Sequence, residues 1–130
     1  MGTANEWLRR AESMLTSAVA METVNMLNND KCYILQQAVE KAIKAVLVLY
    51  EIQVPRHHDI GRLLKLVDEV KEIPQSVDIE TLSELSEFAV NLRYPGSSSY
   101  DEISQEEYKR YLDVARVAFI WIRNQVNNAV

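Results

Sequence analysis

The chain is short of the residues that punctuate or staple a fold. It has one cysteine, three glycines and three prolines in 130 residues. The lone Cys32 excludes an internal disulfide and fits a reducing compartment, so a cytoplasmic location is expected. So few Gly and Pro leave little punctuation for a many-turned β fold. No run of ~18 apolar residues marks a membrane span, and no basic start followed by an apolar run marks a signal peptide. Positive charge is also in deficit, with 14 Lys and Arg against 19 Asp and Glu and a net charge of −5. That balance argues against bulk binding to a polyanion, so DNA is not an expected partner and neither is a membrane. Contact with RNA or a nucleotide must come from a local cationic patch. There is no Gly-rich phosphate loop, no Gly-x-Ser-x-Gly and no His-Glu-x-x-His. No Cys or carboxylate set has metal-ligand spacing, so neither a metal nor a cofactor is expected. There is no internal repeat, and the only low-complexity run is Ser97-Ser98-Ser99.

What is present is helical periodicity. Hydrophobic residues make up 48% of the chain, and its length suits one domain over 1–130 with its own core. The stretch from Asp30 to Tyr50 organises the rest. On a helix of roughly 100° per residue, Gln36, Gln37, Glu40, Lys41 and Lys44 share one arc of about 140°. Leu35, Ala38, Val39, Ala42, Ile43, Ala45, Val46, Leu49 and Tyr50 fill the other side, and Leu47 and Val48 close the arc further on. A helix apolar nearly all round must be covered on several sides, which predicts the central helix of a bundle. Cys32 lies beside its apolar side and reads as a buried small hydrophobe.

The other segments follow the same pattern. Thr3-Ala4-Asn5-Glu6 is a capping box, followed by Trp7, Leu8, Ala11, Met14, Leu15 and Ala18 at helical spacing, with Trp7 as a core anchor. Asn28-Asn29-Asp30 is expected to end this first helix and cap the second, making an antiparallel hairpin. The second helix is expected to run to about Ile52, before Val54-Pro55. His58 or Asp59 should cap a third helix with Ile60, Leu63, Leu64, Val67 and Val70 as its seam. Asp78 should cap a fourth, carrying Ile79, Leu82, Leu85, Phe88, Ala89 and Leu92. Arg93-Tyr94-Pro95-Gly96 ends it, and a polar loop of about ten residues is longer than the usual helix connection. Ser104-Gln105-Glu106-Glu107 is a second capping box, opening a fifth helix with Tyr108, Tyr111, Leu112, Ala115, Ala118, Phe119, Ile122 and Val126. Five amphipathic helices with no period-two segment predict an all-α up-and-down bundle.

Three clusters carry possible chemistry. The stripe Gln37, Lys41, Lys44 with Gln36 and Glu40 reads as a solvated face with a Glu40–Lys44 pair at i, i+4. On a helix this covered, it reads alternatively as the lining of a cleft or the face toward a partner chain. In Arg56-His57-His58-Asp59, His58 is a helix-start residue, or an imidazole poised to meet a phosphate or move a proton. Arg93-Tyr94-Pro95 complements the carbonyl end of its helix, or offers a guanidinium for bidentate phosphate capture with Tyr94 stacked on a base.

Taken in order, these motifs resemble the HEPN domain family. They are Trp7-Leu8 with Ala11, Gln36-Gln37-Ala38-Val39-Glu40-Lys41-Ala42-Ile43-Lys44-Ala45-Val46-Leu47, His58-Asp59-Ile60 with Leu63-Leu64, and Arg93-Tyr94-Pro95 followed by Tyr100. The resemblance covers nearly the whole chain and points to the nucleotidyltransferase-associated type. It implies a five-helix bundle that forms a homodimer and works beside a small nucleotidyltransferase in a toxin–antitoxin or stress-type system. The activity it implies is nucleotide or polyphosphate binding, or metal-independent RNA cleavage. The binding reading assigns Gln37, Lys41, Lys44, His58, Arg93 and Tyr94 to the ligand, with cations of the second, third and fourth helices converging at one end of the bundle. The ribonuclease reading uses Arg93 with His58 or Tyr100. Many active members carry an Arg followed closely by a His, and here the corresponding positions after Arg93 hold Ser98, Ser99 and Tyr100. A purely structural role in dimerisation or partner binding is the third reading.

Overall fold

The architecture follows from one helix having too much apolar surface to stand at an edge. A computed structural model describes residues 2–91 and 101–128 of the chain. It contains α1 (Ala4–Ala20), a 3₁₀ turn (Met21–Thr23), α2 (Asn28–Leu49), α3 (Ile60–Asp68), α4 (Ile79–Glu84), α5 (Ser86–Asn91) and α6 (Gln105–Asn127). Among the described residues there is no strand. α4 and α5 are two pieces of one broken helix, so the molecule is the expected all-α five-helix bundle. α2 lies at its centre, packed against α1, α3, α5 and α6. Leu35, Ala38, Ala42, Ala45, Val46 and Leu47 along it are fully buried. The alanines among them let neighbouring helices approach closely, and the larger Tyr108, Leu112 and Phe119 of α6 fill the space from outside. The Tyr108 hydroxyl donates to the carbonyl of Ala18 at 2.6 Å, tying α6 to the end of α1.

Caps form where the sequence places them. Thr3 and Glu6 make a reciprocal capping box. Asp59, rather than His58, caps α3 by accepting from Arg62 N, and Asp78 caps α4 through Thr81 N. Ser104 accepts from Glu107 N at the start of α6.

Three local expectations are corrected. Asn28 and Asn29 are not a turn between helices, because α1 ends at Ala20 and both residues lie inside the first turn of α2. Their amides serve a distant segment instead. Asn29 donates to the carbonyl of Asp101 and accepts from Ile103 N, and Asn28 donates to the carbonyl of Ile103. α2 stops at Leu49, short of Ile52. Ile52 N bonds Leu47 O at 2.8 Å and Glu51 N bonds Val48 O at 3.0 Å, a Schellman closure with Glu51 at φ 58°. The fourth helix breaks at Leu85. Ser83 Oγ donates back to Ile79 O, and Ser86 Oγ accepts from Ile60 N, so its serines serve other partners than a continuous ladder.

Candidate functional site

The polar stripe of α2 is not a solvated face. Gln36 is fully buried, Glu40 is 3% exposed and Lys44 7%, while Gln37 and Lys41 are half-buried. A covered helix tolerates such groups only if each finds a partner. They find one another along the stripe. Lys41 Nζ donates to Gln37 Oε1 at 3.4 Å, Gln37 Nε2 to Gln36 Oε1 at 2.7 Å, and Gln36 Nε2 to Glu40 Oε1 at 2.9 Å. Lys44 Nζ reaches Glu40 Oε2 at 2.8 Å, the i, i+4 pair the sequence anticipates. The direction of donation is set at both ends, because an ammonium only donates and a carboxylate only accepts.

The third segment closes the network. The chain between α2 and α3 returns over the stripe and sets His58 Nδ1 at 3.0 Å from Glu40 Oε2 and 3.1 Å from Oε1. Facing a carboxylate, Nδ1 carries the proton, so in the neutral ring Nε2 holds the lone pair. The His58 side chain is 49% exposed while that of Glu40 is 4% exposed, so a half-open imidazole is held by a buried acid. Burial pushes the Glu40 carboxyl toward a higher pKa, but the donors Lys44, His58 and Gln36 outweigh it and hold the group below its ordinary value. The cluster is therefore cationic: Lys41 and Lys44 stand against the single carboxylate of Glu40.

Trp7 of α1 reaches the same end of the bundle. Lys44 Nζ lies 5.9 Å from the centre of its ring. The indole N–H is buried without an acceptor among the described residues.

Of the six residues assigned to a ligand, the structure thus gathers Gln37, Lys41, Lys44 and His58 on one hydrogen-bonded chain. Arg93 and Tyr94, together with Tyr100 of the ribonuclease reading, lie outside the described residues. Sequence reasoning named Glu40 within the stripe but did not place it at the hub. The signal was available, since Gln36, Glu40 and Lys44 repeat every four residues on one face. No sequence signal brings His58 or Trp7 to that hub. Among the described residues, no group of three or more His, Cys, Asp or Glu is placed to hold a metal ion. No helix among them is long and apolar enough to cross a membrane.

Comparison with known proteins gives a consistent result. Residues 4–125 match the family model for the HEPN domain. No curated protein matches the chain. A crystal structure of ST0689, described as an archaeal HEPN homologue, superposes with a TM-score of 0.75 at 21% identity, covering 97% of this chain and 99% of that one. The crystal structure of TT1696 from Thermus thermophilus gives a TM-score of 0.73 at 25% identity, covering 96% of this chain and 99% of that one. Both likenesses run over almost the full length of the fold.

Proposed function

The chain belongs to the HEPN family, and from that premise we propose that it is a nucleotide- or polyphosphate-binding module acting beside a small nucleotidyltransferase, in a toxin–antitoxin or stress-type setting. The observation that carries the reading is the cationic chain on α2. A polar run buried in the central helix contributes less stability than an apolar one of the same shape would. A polar run in that position makes sense if the cluster serves a ligand. Its accessible ends, Lys41 and His58, supply positive charge and N–H donors suited to phosphate oxygens. Calorimetric titration with nucleoside triphosphates and inorganic triphosphate tests this. Binding to the wild type that weakens in Lys41→Ala and His58→Ala supports it. No binding, or equal binding in all three proteins, removes it.

A second reading is favoured by one specific contact. Glu40 holds His58 so that Nε2 of a half-open ring is the proton acceptor, which is what a general base requires. In metal-independent RNA cleavage, the base takes the 2′-hydroxyl proton as that oxygen attacks the adjacent phosphorus. The bond from phosphorus to the 5′-oxygen then breaks, and that oxygen receives a proton. Incubation with a mixed RNA pool in EDTA separates the readings. Cleavage that is lost in His58→Ala establishes the ribonuclease, and intact RNA leaves the binding module.

Self-association belongs to the same proposal. Val117 and Ile120 of α6 are 41% and 57% exposed, and Ile120 lines a groove with Leu15, Val19 and Phe119, flanked by Arg116 and Arg123. They are the apolar surface a second copy would cover. Light scattering that shows a dimer lost in Ile120→Glu supports it, and a monomer at high concentration counts against it.

A further inference from the structure

The two accessible ends of the α2 network are chemically opposite, and its buried part makes them so. Glu40 is filled as an acceptor. Oε1 takes an N–H from Gln36 at 2.9 Å and Oε2 takes one from Lys44 at 2.8 Å, while His58 Nδ1 stands 3.1 Å and 3.0 Å from the two oxygens. Gln36 Nε2 also lies 3.5 Å from the carbonyl of His58, on the backbone that carries the ring. Turning the imidazole over would put a carbon in place of Nδ1, and moving its proton to Nε2 would aim a lone pair at the carboxylate. Either change takes one donor from an acid whose side chain is 4% exposed. The neutral ring is therefore held as one tautomer in one orientation, and its remaining nitrogen, Nε2, is an acceptor only. Among the described residues no donor meets Nε2, and the His58 side chain is half exposed.

Lys41 is the reverse case. Its ammonium has N–H donors and no lone pair, and one of those donors goes to Gln37 Oε1 at 3.4 Å. Lys41 directly follows Glu40 in α2 and is tied to it through Gln37 and Gln36, so donor and acceptor belong to one stretch of the helix. A ligand that uses both ends brings an anionic oxygen to Lys41 and a hydroxyl to His58. An ionised phosphate oxygen accepts and cannot donate, so it leaves Nε2 of the neutral ring unmatched. A ribonucleotide carries both groups, and its ribose hydroxyls are the donors nearest its phosphates.

We propose that His58 Nε2 accepts from a ribose hydroxyl of the bound nucleotide, which makes His58 the residue that selects a ribonucleotide over its deoxy counterpart. The inference rests on the nucleotide-binding reading above. Lys41 meets the phosphate. Gln36, Glu40 and Lys44 are positioning residues: they are buried, touch no ligand and act by holding the tautomer of the ring. The ribose hydroxyl is the group that separates the components of RNA from those of DNA, and it both donates and accepts. With deoxyribose in its place, Nε2 faces the ligand without a partner. The ring is half open to water, so the penalty is that of one partly solvated hydrogen bond, about fivefold in affinity.

Two measurements at about pH 8, where a free imidazole is neutral, test this. The first is a proton–nitrogen NMR spectrum of the imidazoles in the free protein, in which His58 should show a protonated Nδ1 and a bare Nε2. The second is calorimetric titration with adenosine 5′-triphosphate and its 2′-deoxy and 3′-deoxy analogues. In the wild type, loss of one of the two hydroxyls should weaken binding about fivefold. In His58→Phe, which keeps a ring without nitrogens, the three nucleotides should bind alike, and circular dichroism checks its fold. Glu40→Gln keeps the imidazole but releases its tautomer, and should lose the same discrimination. A protonated Nε2 in the free protein, equal affinities in the wild type, or a deoxy penalty that survives in either variant overturns the hydroxyl proposal and leaves the nucleotide reading standing. No heat with any of the nucleotides overturns both.

Discussion

α2 buries two lysines and treats them differently. Lys44 is 7% exposed, and its ammonium meets a buried carboxylate at 2.8 Å. Lys31 is 3% exposed, yet among the described residues no carboxylate lies within ion-pair distance. Its Nζ is 3.5 Å from the carbonyl of Glu22 and 5.7 Å from the ring centre of Tyr108. Lys31 is held by neutral acceptors and by its packed stem, a local arrangement at the start of the helix. Lys44 belongs to a network that runs from Lys41 to the open ring of His58. Burial alone therefore does not tell the two lysines apart; connection through Glu40 to the half-exposed ring of His58 does.

The largest effect should come from removing Lys44, with Lys31 as its control. Lys44→Ala leaves Glu40 buried without its ammonium partner and should cost about 3 kcal/mol. Lys31→Ala strands no opposite charge and should cost about 1 kcal/mol. Urea denaturation measures both, and equal losses would break the distinction. Next is the clasp beside Lys31. Asn29→Ala removes the bonds to Asp101 O and Ile103 N from a residue only 4% exposed, and should cost about 2 kcal/mol. Unchanged stability there would mean the α2 start is held by packing alone.

The third prediction concerns acid. The folded-state pKa of Glu40 lies below the ordinary 4.5, so its contribution is present in full above that value and drains away as pH falls through the folded value. Wild type should lose stability below pH 4.5 more steeply than Glu40→Gln, although the variant is weaker near neutrality. Parallel pH profiles would show that the network is not held by charge. The smallest effect, a reaction rate, tests the Lys31 end. An adjacent ammonium presented to a thiol would activate it. Instead, burial first, and the charge of Glu107 second, push the Cys32 thiol up to about 12. Cys32 should resist a thiol-specific reagent in the native protein and react on unfolding. Fast native labelling would show that the Lys31 region opens.

Periodicity sufficed for much of this molecule. The centrality of α2, the seam of α6, the seam of α3 up to Val67, and the caps at Thr3, Asp59, Asp78 and Ser104 were legible, because each depends on residues within a few positions of one another; Val70, expected in the α3 seam, lies past the helix end and is exposed. The stripe was legible as a pattern but not as an environment. Whether Gln36, Glu40 and Lys44 met water or protein depended on the 56–59 segment folding back across them. The break at Leu85 was not legible, since its apolar spacing runs on through Phe88 and Ala89.

The amino-acid order by itself determined the helices, their buried faces and the family. These are short-range consequences of helical repeat and side-chain chemistry. Only the tertiary structure decided that His58 meets Glu40, that Trp7 meets Lys44 and that Asn29 meets Ile103. Each of those pairs is separated by many residues, and its meeting is set by how the helices pack and where their connections return. The proposed site is built from contacts of that second kind, which is why its hub emerged from the packed bundle rather than from any motif.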